Sequence, residues 1–204
     1  MVFLAGGAVV AGVARSGVAY AADAEAGRKK AEACAACHGP EGNAITPGTP
    51  SLSAMPAFYT HWQLIMFRDG RRGDSQMTPF VQNLTDADLG DLAAYYLTQA
   101  AKLRPAEIDR AKAEAGRPLA QIHRCTSCHG PGLMGQGQVP RLAGQDFDYL
   151  LKRLRGYRSK TTSDLDGMMT MVSQSLSEQD IENLVHFIAG VPPSGGAATG
   201  GDGR

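Results

Sequence analysis

The sequence predicts an all-α protein built as two tandem helical domains, and three observations carry that expectation. The pattern CxxCH occurs twice, as "CAACHG" from Cys34 and "CTSCHG" from Cys125. Landmarks around the two copies keep a nearly constant offset: Cys34 to Cys125 is 91 residues, Pro50 to Pro140 is 90, and Met77 to Met169 and Thr85 to Ser177 are 92 each, the signature of an internal duplication. No alternating run of β-branched residues is long enough to argue for a sheet.

The first 21 of the 204 residues, "MVFLAGGAVVAGVARSGVAYA", differ from the rest. They hold an apolar run of signal-peptide length and an Ala-Tyr-Ala ending suited to cleavage after Ala21, so residues 1–21 read as a signal peptide and the periplasm as the destination. The usual positive start is missing and Arg15 follows the run. An uncleaved anchor, with membrane association, is therefore the alternative reading.

Residues 22–102 form the expected first domain and residues 103–192 the second. Each has an alanine-rich helical segment, the cysteine motif, a Gly/Pro loop, an amphipathic segment, a Met-containing loop and a closing helix. The closing helices are the clearest local structure. In "TDADLGDLAAYYLTQA", Thr85 and Asp88 make a capping-box-like start and Leu89, Leu92, Ala93 and Tyr96 share a face. In "SEQDIENLVHFIAG", Ser177 and Asp180 repeat the start, Ile181, Leu184, Val185 and Ile188 the face, and Gly190 is a C-terminal stop. "AKLRPAEIDRAKAEAGRP" links the halves, with Pro105 as a break. Residues 193–204 have the composition of a disordered tail.

All four cysteines lie in the two motifs, so none remains for a disulfide framework. Lysine plus arginine equals aspartate plus glutamate at 20 each, which gives no field of the kind that attracts nucleic acid. A unit of about 80 to 90 residues has a marginal apolar core without a staple or a large cofactor. CxxCH supplies one. Cysteines three apart near a helix end project to one side, where both thiols can meet neighbouring vinyl groups of a haem, and the next residue is placed under the iron. Cys34 and Cys37 then attach one haem with His38 on its iron, and Cys125 and Cys128 a second with His129, giving two covalently bound haem c groups. A redox dithiol would expect a βαβ context, which is absent, and zinc would need four closed ligands pooled from both halves.

The sixth iron position needs a second donor. His61, His123 and His186 lie in helical segments where packed or surface histidines are usual. Methionine suits the place because a soft, neutral thioether favours ferrous iron and raises the potential. Aligning the closing helices selects Met77 and Met169, with Met168 and Met171 close enough to compete, while Met55, Met66 and Met134 read as core fillers.

With these residues the chain resembles the class I c-type cytochromes, and in its duplicated form the dihaem cytochrome c4 family, over residues 23 to 192. The resemblance implies that a proline carbonyl accepts a hydrogen bond from Nδ1 of each proximal histidine, the place of Pro50 and Pro140, which would orient the imidazole and raise its basicity. The second half follows the family through "PRLAGQDFDYLLKRLRGYR", whereas the first has "PSLSAM". In that departure it is similar to the dihaem subunits that accept electrons from a partner dehydrogenase, such as flavocytochrome c sulfide dehydrogenase.

The resemblance implies a periplasmic carrier of single electrons, not an enzyme, exchanging them with a periplasmic dehydrogenase, a membrane cytochrome complex or a terminal oxidase. A subunit of a dehydrogenase or oxidase complex is the alternative. A haem peroxidase, which needs an open sixth position, is the third reading. Basic clusters at Arg68, Arg71 and Arg72, and at Lys152, Arg153, Arg155, Arg158 and Lys160, read as solvated helix faces, or as groups that offset haem propionates or dock an acidic partner.

Overall fold

The computed structural model describes residues 22–104 and 106–194. Residues 1–21, read above as a signal peptide, Pro105 and residues 195–204 of the expected tail lie outside them. The first unit contains α1 (Ala24–Lys30), α2 (Ala35–His38), α3 (Ala57–Arg68), α4 (Thr78–Val81) and α5 (Asp86–Thr98). The second contains α6 (Arg110–Ile122), α7 (Cys125–His129), α8 (Phe147–Ser159), α9 (Met168–Ser173) and α10 (Glu178–Ala189). Among the described residues there is no strand, and the β-type pairing that occurs is a single bridge, Gln136 with Val139. None of the described helices is long and apolar enough to cross a membrane.

Helix ends follow the local sequence. Thr85 and Asp88 complete a reciprocal capping box at α5, as Ser177 and Asp180 do at α10. Asp23 caps α1, Asp109 caps α6 and Asp146 caps α8, each accepting backbone N–H groups of the first turn, which satisfies donors the helix cannot pair internally. Gly190 closes α10 with φ −81°, a right-handed end in place of the left-handed stop that glycine there suggests.

In each unit the alanine-rich first helix crosses the closing helix at a glycine. A Cβ on Gly27 would stand 2.0 Å from the Asp91 carbonyl oxygen, and one on Gly116 2.0 Å from that of Asn183. No other residue permits so close an approach. At the first crossing the buried Asp91 carboxylate accepts from the Asp23 amide at 2.8 Å and from Lys30 Nζ at 2.5 Å, tying α5 to α1.

The units differ in their apolar interiors. The second has a contiguous core of eleven buried residues, including Leu150, Leu154, Ile181, Leu184 and Val185. The corresponding cluster in the first contains three, Ala31, Leu92 and Tyr96, with other buried apolar side chains such as Met55, Met66 and Leu89 outside it.

The units meet through the loops that precede α3 and α8. Gln145 Nε2 donates to the Ser51 carbonyl at 3.0 Å while its Oε1 accepts from the Ser51 amide at 2.7 Å. Asp146 accepts from the Gly48 amide at 3.0 Å and pairs with Arg104 at 3.0 Å. Arg72 reaches Tyr149 Oη at 3.0 Å, and Arg141 Nε donates to the Ser53 carbonyl at 3.0 Å.

Candidate functional site

Each CxxCH ends on a short helix that a glycine stops abruptly, with Cys34 as the N-cap of α2 and Cys125 as the first residue of α7. Gly39 follows α2 with φ 73° and Gly130 follows α7 with φ 76°, a backbone turn that side chains with a Cβ rarely make. The turn leaves each histidine as the last helical residue. His38 and His129 are buried. His38 Nδ1 stands 2.8 Å from the Pro50 carbonyl oxygen, and His129 Nδ1 2.9 Å from that of Pro140.

A carbonyl oxygen can only accept, so Nδ1 carries the proton and Nε2 keeps its lone pair. Burial lowers the pKa of both imidazoles, opposed by the hydrogen bond to proline, and the neutral form is the one that ligates metal. The four thiols are free of disulfides; Cys34 and Cys125 are half-buried, Cys37 and Cys128 exposed. Burial also raises the pKa of the Cys34 and Cys125 thiols. This donor set suits a covalently attached haem: in each unit two thiols at helical spacing stand beside an imidazole already held in the tautomer that leaves Nε2 available. Among the described residues no three of His, Cys, Asp and Glu gather into a metal cluster, so no pooled zinc site is assembled.

The methionines of the two loops are held by carboxylates. Met77 immediately precedes α4, and its amide donates to Asp74 Oδ1 at 3.1 Å. Met169 is the second residue of α9; its amide donates to Asp164 Oδ2 at 2.7 Å, and the Thr170 amide and hydroxyl donate to Oδ1 at 3.2 and 2.8 Å. Met169 packs against the second core, whereas Met168 and Met171 are 46% and 61% exposed. Met55 and Met66 are buried and Met134 lies against the second core.

The remaining histidines have local positions. His186 Nδ1 accepts from the Asp109 amide at 3.2 Å and its ring meets Phe147 at 4.7 Å; His123 caps the end of α6 and His61 lies within α3. The basic clusters are largely engaged. Arg68 pairs with Asp86 at 2.6 Å, Arg155 and Arg158 pair with Glu178, and Arg153 donates to Tyr157 Oη at 2.7 Å. Asp74 and Asp164, which fix the backbone at these methionines, were missed by sequence reasoning, although an acidic residue three to five places before each loop methionine was a readable signal.

Two family models match: one described as cytochrome c over residues 113–192, the other as cytochrome c oxidase, cbb3-type, subunit III over residues 21–95. Cytochrome c4 of Thiocapsa roseopersicina is 38% identical over 179 residues, covering 83% of this chain and 93% of that protein. The thiosulfate dehydrogenase electron acceptor of Stutzerimonas stutzeri is 33% identical, covering 79% of this chain and 80% of the relative. The crystal structure of reduced recombinant cytochrome c4 from Pseudomonas stutzeri superposes with a TM-score of 0.77 at 32% identity, over 84% of this chain and all of that one.

Proposed function

The chain belongs to the cytochrome c4 family of dihaem electron-transfer proteins, and on that premise we propose that it exchanges single electrons with redox proteins of the periplasm through two irons, one held by His38 and Met77, the other by His129 and Met169. It is an electron-transfer protein, not an enzyme, made of two class I cytochrome c domains with two covalent haem c groups. The observation that carries the histidine assignment is the paired contact of His38 with Pro50 and His129 with Pro140, at 2.8 and 2.9 Å, each beside its own CxxCH; Met77 and Met169 rest on the matched place of their loops before the closing helices.

Haem iron supplies the one-electron ferric/ferrous couple. Cys34, Cys37, Cys125 and Cys128 fix the group covalently. Pro50 and Pro140 hold the imidazoles in orientation and sustain their basicity through Nδ1. Asp74 and Asp164 accept hydrogen bonds from the backbone of Met77 and Met169 and so would restrain the loops that offer the two thioethers as iron ligands. In this reading residues 1–21 are the export signal, 22–102 and 103–192 are the two domains, and the close parallel between them marks a duplication.

Substituting Met77 and Met169 in turn tests the assignment. Met77→Ala and Met169→Ala should each remove one unit's share of the ferric sulfur-to-iron charge-transfer band. An intact band in Met169→Ala, with loss in Met168→Ala or Met171→Ala, would refute the second assignment.

A second reading concerns the partner. The relative named as a thiosulfate dehydrogenase electron acceptor, together with the altered "PSLSAM" loop of the first unit, favours a chain that accepts electrons from one dedicated dehydrogenase. Stopped-flow reduction of the holoprotein by thiosulfate with such a dehydrogenase should then outpace reduction by the dehydrogenase of an unrelated pathway; equal rates would contradict it.

A further inference from the structure

The second methionine loop buries a hydroxyl to which the polypeptide gives no partner. Ser173 is 0% exposed, and its Oγ is buried without a hydrogen bond. It is the last residue of α9, four places after Met169. Residues at that spacing share a helix face, and side chains lean toward the amino-terminal turn, so the Ser173 hydroxymethyl leans toward Met169. The chain on either side of it is turned inward: Met169 packs against the second core and Leu176 belongs to it.

Serines in helical turns commonly return their hydroxyls to a carbonyl three or four residues back. Ser159 does so with Gly156 at 3.3 Å and Ser175 with Val172 at 3.0 Å. Ser173 does not, although a buried hydroxyl left unpaired is costly. Its polar neighbours are committed elsewhere. The Thr170 hydroxyl donates to Asp164 Oδ1, and Gln174 Nε2 to the carbonyls of Tyr157, Arg158 and Thr170. The first unit shows what packing alone requires at this place. The counterpart of Ser173, 92 residues earlier, is Val81, four places after Met77 and 2% exposed. An apolar side chain fills the position there, so packing gives no reason for an oxygen. The side-chain acceptor one turn back on this face of α9 is the Met169 thioether.

We propose that the Ser173 hydroxyl donates a hydrogen bond to the Met169 sulfur, making Ser173 a positioning residue that tunes the second iron, where the first unit has the methyl groups of Val81. The proposal rests on Met169 as the axial ligand and deepens that reading. A proton shared with the sulfur draws on the thioether lone pairs and weakens their donation to ferric iron more than to ferrous, which raises the potential of the haem they serve.

In the full-length holoprotein, Met77→Ala leaves the charge-transfer band to the second unit alone, and the potential at which it fades on reduction is then that of the second haem. In this background Ser173→Ala should keep the band but favour ferric iron about two- to tenfold, which at about 59 mV per tenfold lowers the potential by about 20 to 60 mV. Ser173→Thr, which retains a hydroxyl, should stay at the parent potential. An unchanged or raised potential in Ser173→Ala would overturn the proposal, and so would loss of the band, which would give the hydroxyl a purely structural part. Should Ser173→Ala fail to mature, the converse change decides: Val81→Thr, read in the Met169→Ala background, should raise the potential of the first unit's band, and no rise overturns the proposal. A band that persists when Met77→Ala and Met169→Ala are combined would instead overturn the ligand assignment beneath it.

Discussion

Pro50 and Pro140 hold the same place in their units, yet the residues that follow them diverge. Ser51, Ser53 and Met55 of the first stand against Arg141, Ala143 and Gln145 of the second. Around the histidines the units agree closely, with Nδ1 contacts of 2.8 and 2.9 Å to proline and glycine crossings that each leave 2.0 Å for a Cβ. At the junction they do not. The second unit extends the Gln145 amide and the Arg141 guanidinium, and the first receives them on the backbone of Ser51 and Ser53. Parts that each unit needs for its own haem are duplicated, while parts that join the units are divided between them.

The strongest way to break the parallel is at the helix crossings. Gly27→Val and Gly116→Val should each cost about 3 kcal/mol or more, because backbone stands where the new side chain would go. Thermal unfolding of the holoproteins checks this. Tolerance of one change but not the other would show that the crossings are not equivalent.

The division at the junction is sharpened by changing Met55 and Gln145. Met55 is 4% exposed, so Met55→Ala should destabilise the first unit by about 3 kcal/mol through the cavity it leaves. Gln145→Ala strips the Ser51 amide and carbonyl of their partners and should cost about 2 kcal/mol. Its effect should take a different form, with one calorimetric transition separating into two as the units uncouple. A single transition in Gln145→Ala would argue against the junction's role.

The methionine loops differ in degree. Asp164 accepts three hydrogen bonds from Met169 and Thr170, whereas Asp74 accepts from the Gln76 and Met77 amides. Asp164→Ala should weaken its loop by about 1 kcal/mol, and Asp74→Ala by less. On heating, the charge-transfer band should therefore fade earlier in the first variant than in the second.

The smallest contrast lies in the capping boxes. Lys30, with Thr85, holds the Asp88 carboxyl down to about 2, while Asp180 is lowered chiefly by Ser177. A carboxyl whose folded pKa is depressed contributes stability above its unfolded value, near 3.9, and loses it as pH falls through about 2. Asp88→Asn should thus flatten the acid limb of the stability profile between those values more than Asp180→Asn does. Urea unfolding at stepped pH measures both slopes.

Much of this was legible in the sequence because it is local. CxxCH, the capping residues Thr85 and Ser177 and the faces of α5 and α10 are each specified within one or two turns. Gly27 and Gly116 were harder to see, since a glycine in an alanine-rich helix carries no mark of the helix that will cross it. Arg141 and Gln145 stood in plain view within "PRLAGQ". Their partners, Ser53 and Ser51, lie roughly ninety residues away, and no periodicity links a side chain to the backbone of another unit.

Spectropotentiometric titration of the holoprotein, followed at the ferric charge-transfer band, tests the account most directly. The proposed ligation of two irons, each by histidine and methionine, predicts that the band belongs to both haems and is lost in full as two electrons are taken up. Uptake of one electron only, or a haem that is high-spin and lacks the band, would contradict it.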